Sequence, residues 1–224
     1  MDLLFTPAKL GTCELKNRIV RSATNGHLSD EKGQVTPLWA DTLIELAKNE
    51  VGLVITGHFC VDKMQRADAG QPVLDETTDE SLLRRACDGV HRYGGKLFFQ
   101  LSHSGIKGVE SGNGAPPKHP EDFTREELDR LVEQFAFAAK KCKESGADGV
   151  QVSGIDFNRR AGQKTPFYLD ALICEPDFAA KLKSGAQDGS KCLACNGCYT
   201  IYRKRFVRCV QHQDEIEQFK TIPW

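Results

Sequence analysis

The chain has 224 residues, of which 40% are hydrophobic and 27% are charged, a composition typical of a globular protein rather than a disordered one. The formal net charge of −1 gives no electrostatic basis for binding nucleic acid or an anionic membrane surface. No apolar run is long enough to span a membrane, and the N-terminus lacks the basic start and apolar stretch of a signal peptide. We therefore expect a cytoplasmic protein that binds neither nucleic acid nor membrane.

Strand-like and helix-like segments alternate through the first three-quarters of the chain. Short runs rich in apolar and β-branched residues predict strands at 17–24, 51–57, 96–101 and 147–154. Apolar residues at helical spacing predict helices at 37–49, 80–95 and 124–146. The last helix opens with Thr124 and Glu127 at the spacing of a capping box. This alternation predicts an α/β fold of parallel βα units with helices on the faces of the sheet.

Small and polar residues gather where the predicted strands end. Thr56, Gly57 and His58 close the second strand, and Gln100 and His103 close the third. In parallel α/β proteins the carboxyl ends of the strands, and the loops that follow them, carry the functional site. The sequence therefore predicts a binding site at these strand tips.

The alternation of predicted strands and helices stops after about residue 155, which divides the chain into a predicted unit at 1–155 and a tail at 156–224. Before that point, residues 107–123 form a loop rich in Gly and Pro, of the kind that makes a lid or a rim. In the tail, residues 175–185 predict one short helix.

The chain contains nine cysteines, an odd number that argues against a fully paired disulfide framework. Five are scattered and are expected to be small buried hydrophobic residues: Cys13, Cys60, Cys87, Cys142 and Cys174. The other four have the spacing C-x2-C-x2-C-x10-C: Cys192, Cys195, Cys198 and Cys209. Closely spaced thiolates suit an iron–sulfur cluster or a zinc ion, and a loop of four thiols without metal is the third alternative.

Several of these motifs, in the same order, resemble the Old Yellow Enzyme-like NADH:flavin oxidoreductase family. The matching segments are "LFTPAKLGTCELKNRIVRSAT", "VGLVITG", "GGKLFFQLSHSG" and "FAFAAKKCKESGADGVQV", which together cover roughly residues 3–152. The resemblance implies a TIM-type barrel that holds FMN at the carboxyl end of its strands. It further implies hydride transfer from NAD(P)H, through FMN, to an activated alkene or enone.

The resemblance also assigns cofactor-binding residues at the strand tips. Ser22, Ala23 and Thr24 would lie against the flavin ring, and Gly57 would allow a close backbone approach. Gln100 would hydrogen-bond the pyrimidine edge of the flavin, because an amide offers both a donor and an acceptor. His103 would either hold its loop or contact the ligand, and both alternatives stay open.

The chain departs from the family after the fourth strand. Ser153 and Gly154 stand where the family carries its substrate-binding His-x-x-Asn or His-x-x-His pair, and the catalytic residues are therefore unassigned. The following segment resembles a later part of the barrel, which implies that the middle of the barrel is deleted and its phosphate-binding strands are lost. Four or five strands cannot close an eight-stranded barrel, so we expect an incomplete barrel whose open edge supports a homo-oligomer.

The resemblance extends to the cysteine segment, which in the 2,4-dienoyl-CoA reductase-like branch holds a [4Fe–4S] cluster. Three functions remain open at this point. The chain is an FMN-dependent oxidoreductase, a non-catalytic half-barrel that binds a partner, or a metal-binding remnant that holds an iron–sulfur cluster or zinc.

Overall fold

The computed structural model describes residues 2–105, 116, 120–154, 172, 175–188, 190–192 and 211. Its strands are β1 (Ala8–Leu10), β2 (Cys13–Leu15), β3 (Val20–Arg21), β4 (Leu53–Cys60), β5 (Lys96–His103) and β6 (Gly149–Gly154). Its α-helices are α1 (Pro37–Lys48), α2 (Glu80–Arg92), α3 (Arg125–Glu144) and α4 (Phe178–Ser184). Short 3-10 helices are formed by Asp2–Phe5, Lys63–Gln65 and Pro120–Asp122.

The main sheet has four parallel strands in the order β3-β4-β5-β6, and α1, α2 and α3 connect successive strands. This arrangement confirms the predicted α/β fold of parallel βα units. The first strand is shorter than predicted, since only Val20 and Arg21 pair with β4. The antiparallel hairpin of β1 and β2 was not predicted, because three-residue strands give too little alternation to detect.

The helices cover one face of the sheet, where the core lies. Phe59 of β4 and Phe99 of β5 are fully buried, with ring centroids 5.5 Å apart. Trp39 of α1 meets both rings, at 5.7 Å from Phe59 and 6.1 Å from Phe99. These three aromatic side chains join α1 to the two central strands, and such rings contribute much of the apolar area that a core buries.

Helix α3 begins as the sequence predicts. The Thr124 hydroxyl accepts a hydrogen bond from the Glu127 backbone N–H at 3.2 Å, and the Glu127 carboxylate accepts one from the Thr124 N–H at 2.8 Å. The predicted capping box is therefore confirmed, and it satisfies two N–H groups at the start of the helix. No helix in the described ranges is both long enough and apolar enough to cross a bilayer.

The sheet is not closed within the described residues. Among the described residues, strand β6 pairs only with β5, and its side chains Val150 and Val152 are 38% and 67% exposed. Near the opposite edge, Phe178 and Leu182 of α4 line a small apolar cavity with Ile19, the residue before β3. The chain thus contains one part of a barrel wall, with one edge strand exposed and a helix beside the other.

Of the five scattered cysteines, three follow the prediction and one does not. Cys60, Cys87 and Cys142 are buried, and burial raises the pKa of each of their thiols to about 12. Cys13 is only half-buried, because it begins the short β2 strand of the hairpin rather than a core strand, so the prediction for it is wrong. Cys174 lies outside the described residues.

Asp148 joins two strands and a helix at the amino end of the sheet. Its carboxylate accepts hydrogen bonds from Lys96 Nζ at 2.8 Å, the Leu97 N–H at 2.9 Å and His91 Nε2 at 2.7 Å. Burial raises the pKa of Asp148, but the bonds from Lys96, Leu97 and His91 outweigh it, and the net pKa lies below the usual range. The carboxylate therefore stabilises the fold at neutral pH, and this contribution is lost as the pH falls through the lowered pKa.

We predict that Asp148→Asn lowers the free energy of unfolding by about 1–3 kcal/mol at pH 7, because charge-assisted bonds across three elements are lost. Urea titration monitored by circular dichroism measures this change. The difference between the two proteins should shrink as the pH is lowered below 4. Asp129→Asn is the control, since the Arg125–Asp129 pair is exposed and its loss should cost at most about 0.5 kcal/mol. Equal stability of Asp148→Asn and the wild type at pH 7 would contradict the prediction.

Candidate functional site at the strand tips

Strands β4 and β5 run to Cys60 and His103, beyond the predicted ends at residues 57 and 101, because an irregularity in β4 lets pairing continue past Gly57. Ile55 pairs with Phe98 and His58 pairs with Gln100, so two residues of β4 stand opposite a single residue of β5. The buried Thr56 hydroxyl accepts a hydrogen bond from the Gln100 N–H at 3.1 Å and donates to the Gly57 carbonyl at 2.8 Å. The hydroxyl thus takes the place of a missing ladder partner and holds β4 and β5 together at the tip.

A row of three polar side chains crosses the sheet beyond this bulge. His58 of β4 is the register partner of Gln100 of β5, which is the register partner of Gln151 of β6. Partners in adjacent strands project from the same face of a sheet. Gln100 Nε2 donates to Gln151 Oε1 at 2.7 Å, and this bond places the two amides side by side. The row (His58, Gln100 and Gln151) lies on the side opposite the core residues Phe99 and Leu101.

A close backbone approach occurs at Gly57, and the approaching backbone belongs to the chain itself, while a contact of Gly57 with the flavin stays a prediction. A Cβ atom added at Gly57 would lie 2.6 Å from the Thr24 carbonyl oxygen and 3.0 Å from Asn25 Cα. Such distances are far inside van der Waals contact, so a side chain would push the first strand tip away. Gly57 therefore brings the segment at Ser22, Ala23 and Thr24 against the end of β4.

The loop after β3 is tied to the loop after β4. Asn25 Nδ2 donates to Asp68 Oδ2 at 3.1 Å, His27 Nδ1 lies 3.1 Å from Asp68 Oδ1, and the Ser29 hydroxyl donates to the Gly70 carbonyl at 2.6 Å. Burial raises the pKa of Asp68, but the bonds from His27 outweigh it, so the net pKa is lowered and the carboxylate is charged at neutral pH. Two strand tips are therefore held as one unit.

A buried amide lies beside the row. Gln71 is fully buried, and its Nε2 lies 2.6 Å from His58 Nδ1 and 3.0 Å from Ser102 Oγ. The Ser102 hydroxyl donates to the Phe59 carbonyl at 3.3 Å. Burial lowers the pKa of His58, so its ring is neutral at neutral pH. The amide and the hydroxyl beneath His58 together fix the position of its ring.

His103, for which two roles were open, makes the contacts of a loop-holding residue. Its Nδ1 accepts a hydrogen bond from the Gly105 N–H at 3.2 Å, and its ring meets Phe123 edge-to-face with centroids 5.7 Å apart. Burial lowers the pKa of His103, which keeps the ring neutral and able to accept that bond.

The residues at the tips fit the polar edge of a flavin. That edge alternates carbonyl acceptors with an imide N–H donor, and the amide of Gln100 can serve both kinds of group. Gln151 adds a second amide beside it, and His58 adds a ring nitrogen. Sequence reasoning missed Gln151, although it is the only amide within a strand of small and apolar residues. No sequence pattern indicated Gln71 as a site residue, because it lies in a loop without periodicity.

The predicted metal ligands fall mostly outside the described residues. Of the four, only Cys192 is described; it is half-buried and its N–H donates to Ser190 Oγ at 3.0 Å. Cys195, Cys198 and Cys209 lie outside the described ranges. Within those ranges, no three potential metal-ligating side chains come together.

Comparison with known proteins agrees with this architecture. Residues 3–156 match the model of the NADH:flavin oxidoreductase / NADH oxidase family. A metal reductase of Desulforamulus reducens is 34% identical over 169 residues, covering 68% of this chain and 24% of that protein. An NADPH dehydrogenase of Listeria monocytogenes is 30% identical over 162 residues, covering 68% of this chain and 48% of that protein.

Among solved structures, an Old Yellow Enzyme homologue from Zymomonas mobilis matches with a TM-score of 0.60 at 22% identity. The match covers 66% of this chain and 47% of that structure, so it shows a shared fold over an incomplete barrel. The chain spans a quarter to a half of the length of these relatives. Because the family model covers more than half of the chain, the chain belongs to the NADH:flavin oxidoreductase / NADH oxidase family.

Proposed function

We propose that the chain is an FMN-dependent oxidoreductase that takes hydride from NAD(P)H and passes it to an activated alkene or enone. The observation that carries this proposal is the row of His58, Gln100 and Gln151, which crosses the parallel sheet two or three residues before the strands end. Family membership supports it, since the family is described by NADH and flavin chemistry. The flavin, when bound, supplies the hydride chemistry.

The contribution of the chain is to bind and orient the flat ring. Gln100 is proposed to hydrogen-bond the pyrimidine edge, and the backbone at Ser22, Ala23 and Thr24 to lie against the ring. Gly57 supports this surface indirectly, because it lets the Thr24 backbone rest on β4. The hydrogen bond from the Gln100 N–H to the Thr56 hydroxyl fixes the backbone of Gln100 against β4.

We predict that the purified chain binds FMN and that Gln100→Leu weakens this binding about tenfold, the cost of one lost hydrogen bond at a polar edge. Quenching of FMN fluorescence on titration with protein measures the affinity. Gln134→Leu is the control, because Gln134 lies on α3 and not in the row, and its affinity should match the wild type. If the folded wild-type chain does not bind FMN, or if Gln100→Leu binds it as well as the wild type, the proposal is wrong.

The four-cysteine segment is proposed to hold a metal centre, a [4Fe–4S] cluster with zinc as the alternative. The support is the spacing of Cys192, Cys195, Cys198 and Cys209. We also propose a cytoplasmic location, where reduced thiols persist, and the three buried free thiols are compatible with it.

We predict that anaerobically purified protein contains about four iron atoms per chain and absorbs near 400 nm, as expected of a thiolate-bound cubane cluster. Cys195→Ser should lose most of the metal, whereas Cys13→Ser, a half-buried cysteine in the hairpin, should keep it. Metal analysis that finds zinc would select the alternative. Protein without iron or zinc, prepared with both supplied, would rule out a metal centre.

The exposed edge of the sheet favours a second role, that of a half-barrel completed by a partner. We propose that the partner is a second copy of this chain. The described sheet has four parallel strands, half of the eight in a TIM barrel, with Val150 and Val152 exposed on β6 at one end. Pairing β6 of each copy with the β3 edge of the other would close eight strands, and α4, which contacts Ile19 just before β3, would then cover these valines.

We predict that the chain is a dimer by light scattering and that Val152→Lys makes it a monomer, because a charge would be buried at the junction. Leu10→Lys is the matched control, since Leu10 is 52% exposed on the β1–β2 hairpin and lies outside the main sheet. A monomeric wild type, or a Val152→Lys variant that remains dimeric, would refute this mode of assembly.

A further inference from the structure

The two ring nitrogens of His58 have different surroundings. Nδ1 lies 2.6 Å from Gln71 Nε2 and 3.3 Å from Ser102 Oγ. In the described part of the chain, the ring hydrogen-bonds only through Nδ1. The half-buried ring therefore has one nitrogen engaged with the protein and a second nitrogen left for a ligand.

The orientation of the Gln71 amide is fixed by the protein backbone. Gln71 is 0% exposed, and its Oε1 lies 2.6 Å from the Ala67 backbone nitrogen. A backbone N–H can only donate, so the amide atom facing Ala67 must be the oxygen. The amide nitrogen, which can only donate, is consequently the atom that faces His58.

The orientation of Gln71 determines the tautomer of His58. The contact of Nδ1 with the Gln71 amide nitrogen, at 2.6 Å, is shorter than its contact with Ser102 Oγ, at 3.3 Å, and it favours a lone pair on Nδ1 and the proton of the neutral ring on Nε2. A Nδ1–H tautomer would set two donors against each other at 2.6 Å inside a buried polar cluster. The protein thus prepares His58 as a hydrogen-bond donor through Nε2–H.

The position of His58 directs this donor to the proposed flavin site. His58 is the register partner of Gln100, so both side chains project from the same face, and Ser102, which contacts the His58 ring, is two residues beyond Gln100 on that face. The polar edge of a flavin carries two carbonyl oxygens on either side of its imide N–H. One glutamine amide cannot satisfy all three groups.

We propose that His58 is a further binding residue, donating Nε2–H to a carbonyl oxygen of the planar ligand held by Gln100, and that Gln71 is the positioning residue that fixes its tautomer. The inference rests on the proposed flavin-binding function and adds the specific donor to it. The same donor would suit any planar imide or amide edge. Riboflavin is the probe, because it carries the flavin ring without the phosphate and its affinity therefore reports contacts with the ring.

The first test compares riboflavin affinity by fluorescence quenching in the wild type, His58→Leu and His58→Gln. His58→Leu removes the donor and is expected to bind about tenfold more weakly. His58→Gln places an amide N–H near the Nε2 position and is expected to recover most of the lost affinity. Circular dichroism and thermal melting confirm that each variant folds.

The second test measures the tautomer directly. Long-range ¹H–¹⁵N correlation spectra of the ¹⁵N-labelled chain at pH 7 should show a protonated Nε2 and an unprotonated Nδ1 for His58, assigned with His58→Gln. Gln71→Met, which keeps the volume but loses the amide, should give a mixture of tautomers and weaken riboflavin binding several-fold. This readout does not depend on any bound ligand.

The outcomes distinguish a failure of the role proposed for His58 from a failure of the proposed flavin-binding function. If the folded wild type does not bind riboflavin, the proposed function and the role of His58 both fail. If the wild type and His58→Leu bind it equally well, only the role of His58 is overturned. A Nδ1–H tautomer in the wild type would overturn the positioning role of Gln71, whatever the affinities are.

Discussion

The parallel pairing of β5 with both of its neighbours is the constraint on which the candidate site depends. This pairing aligns His58, Gln100 and Gln151 across three strands, although they are separated by long stretches of sequence. The bulge in β4 sets the alignment, because without it a different residue of β4 would stand opposite Gln100. Thr56 stabilises the bulge by hydrogen-bonding the Gln100 N–H. Register, more than any single side chain, therefore creates the row.

The two ends of the sheet are held by different kinds of polar interaction. At the amino end, the charged carboxylate of Asp148 ties the starts of β5 and β6 to α2. At the carboxyl end, neutral and charged polar groups tie loop to loop: Asp68 holds the segment after β3, and Gln71 holds the ring of His58. Buried polar groups of this kind are costly unless each is satisfied, and satisfying them fixes a single arrangement. The loops after β3 and β4 are thereby held in one arrangement.

Ring binding and closure of the barrel wall depend on different parts of the sheet. The described strands supply the tips that would contact the ring, and these tips are joined by bonds within the described residues. The exposed valines of β6 show that the wall of the barrel needs something more to bury its apolar surface. A second copy would supply four further strands, since β6 of each half can pair with the β3 edge of the other. Ring binding and wall closure can thus be tested independently.

The sequence by itself determined the alternation of the four parallel strands with their helices, the capping box of α3 and the family. These follow from local patterns: apolar runs, helical spacing and motifs that lie within a few residues. Tertiary structure alone decided that Gly57 accommodates the Thr24 backbone, that Gln151 lies beside Gln100, and that Gln71 orients His58. Each of these depends on strand register and on contacts between residues at least 13 positions apart, which local patterns do not encode.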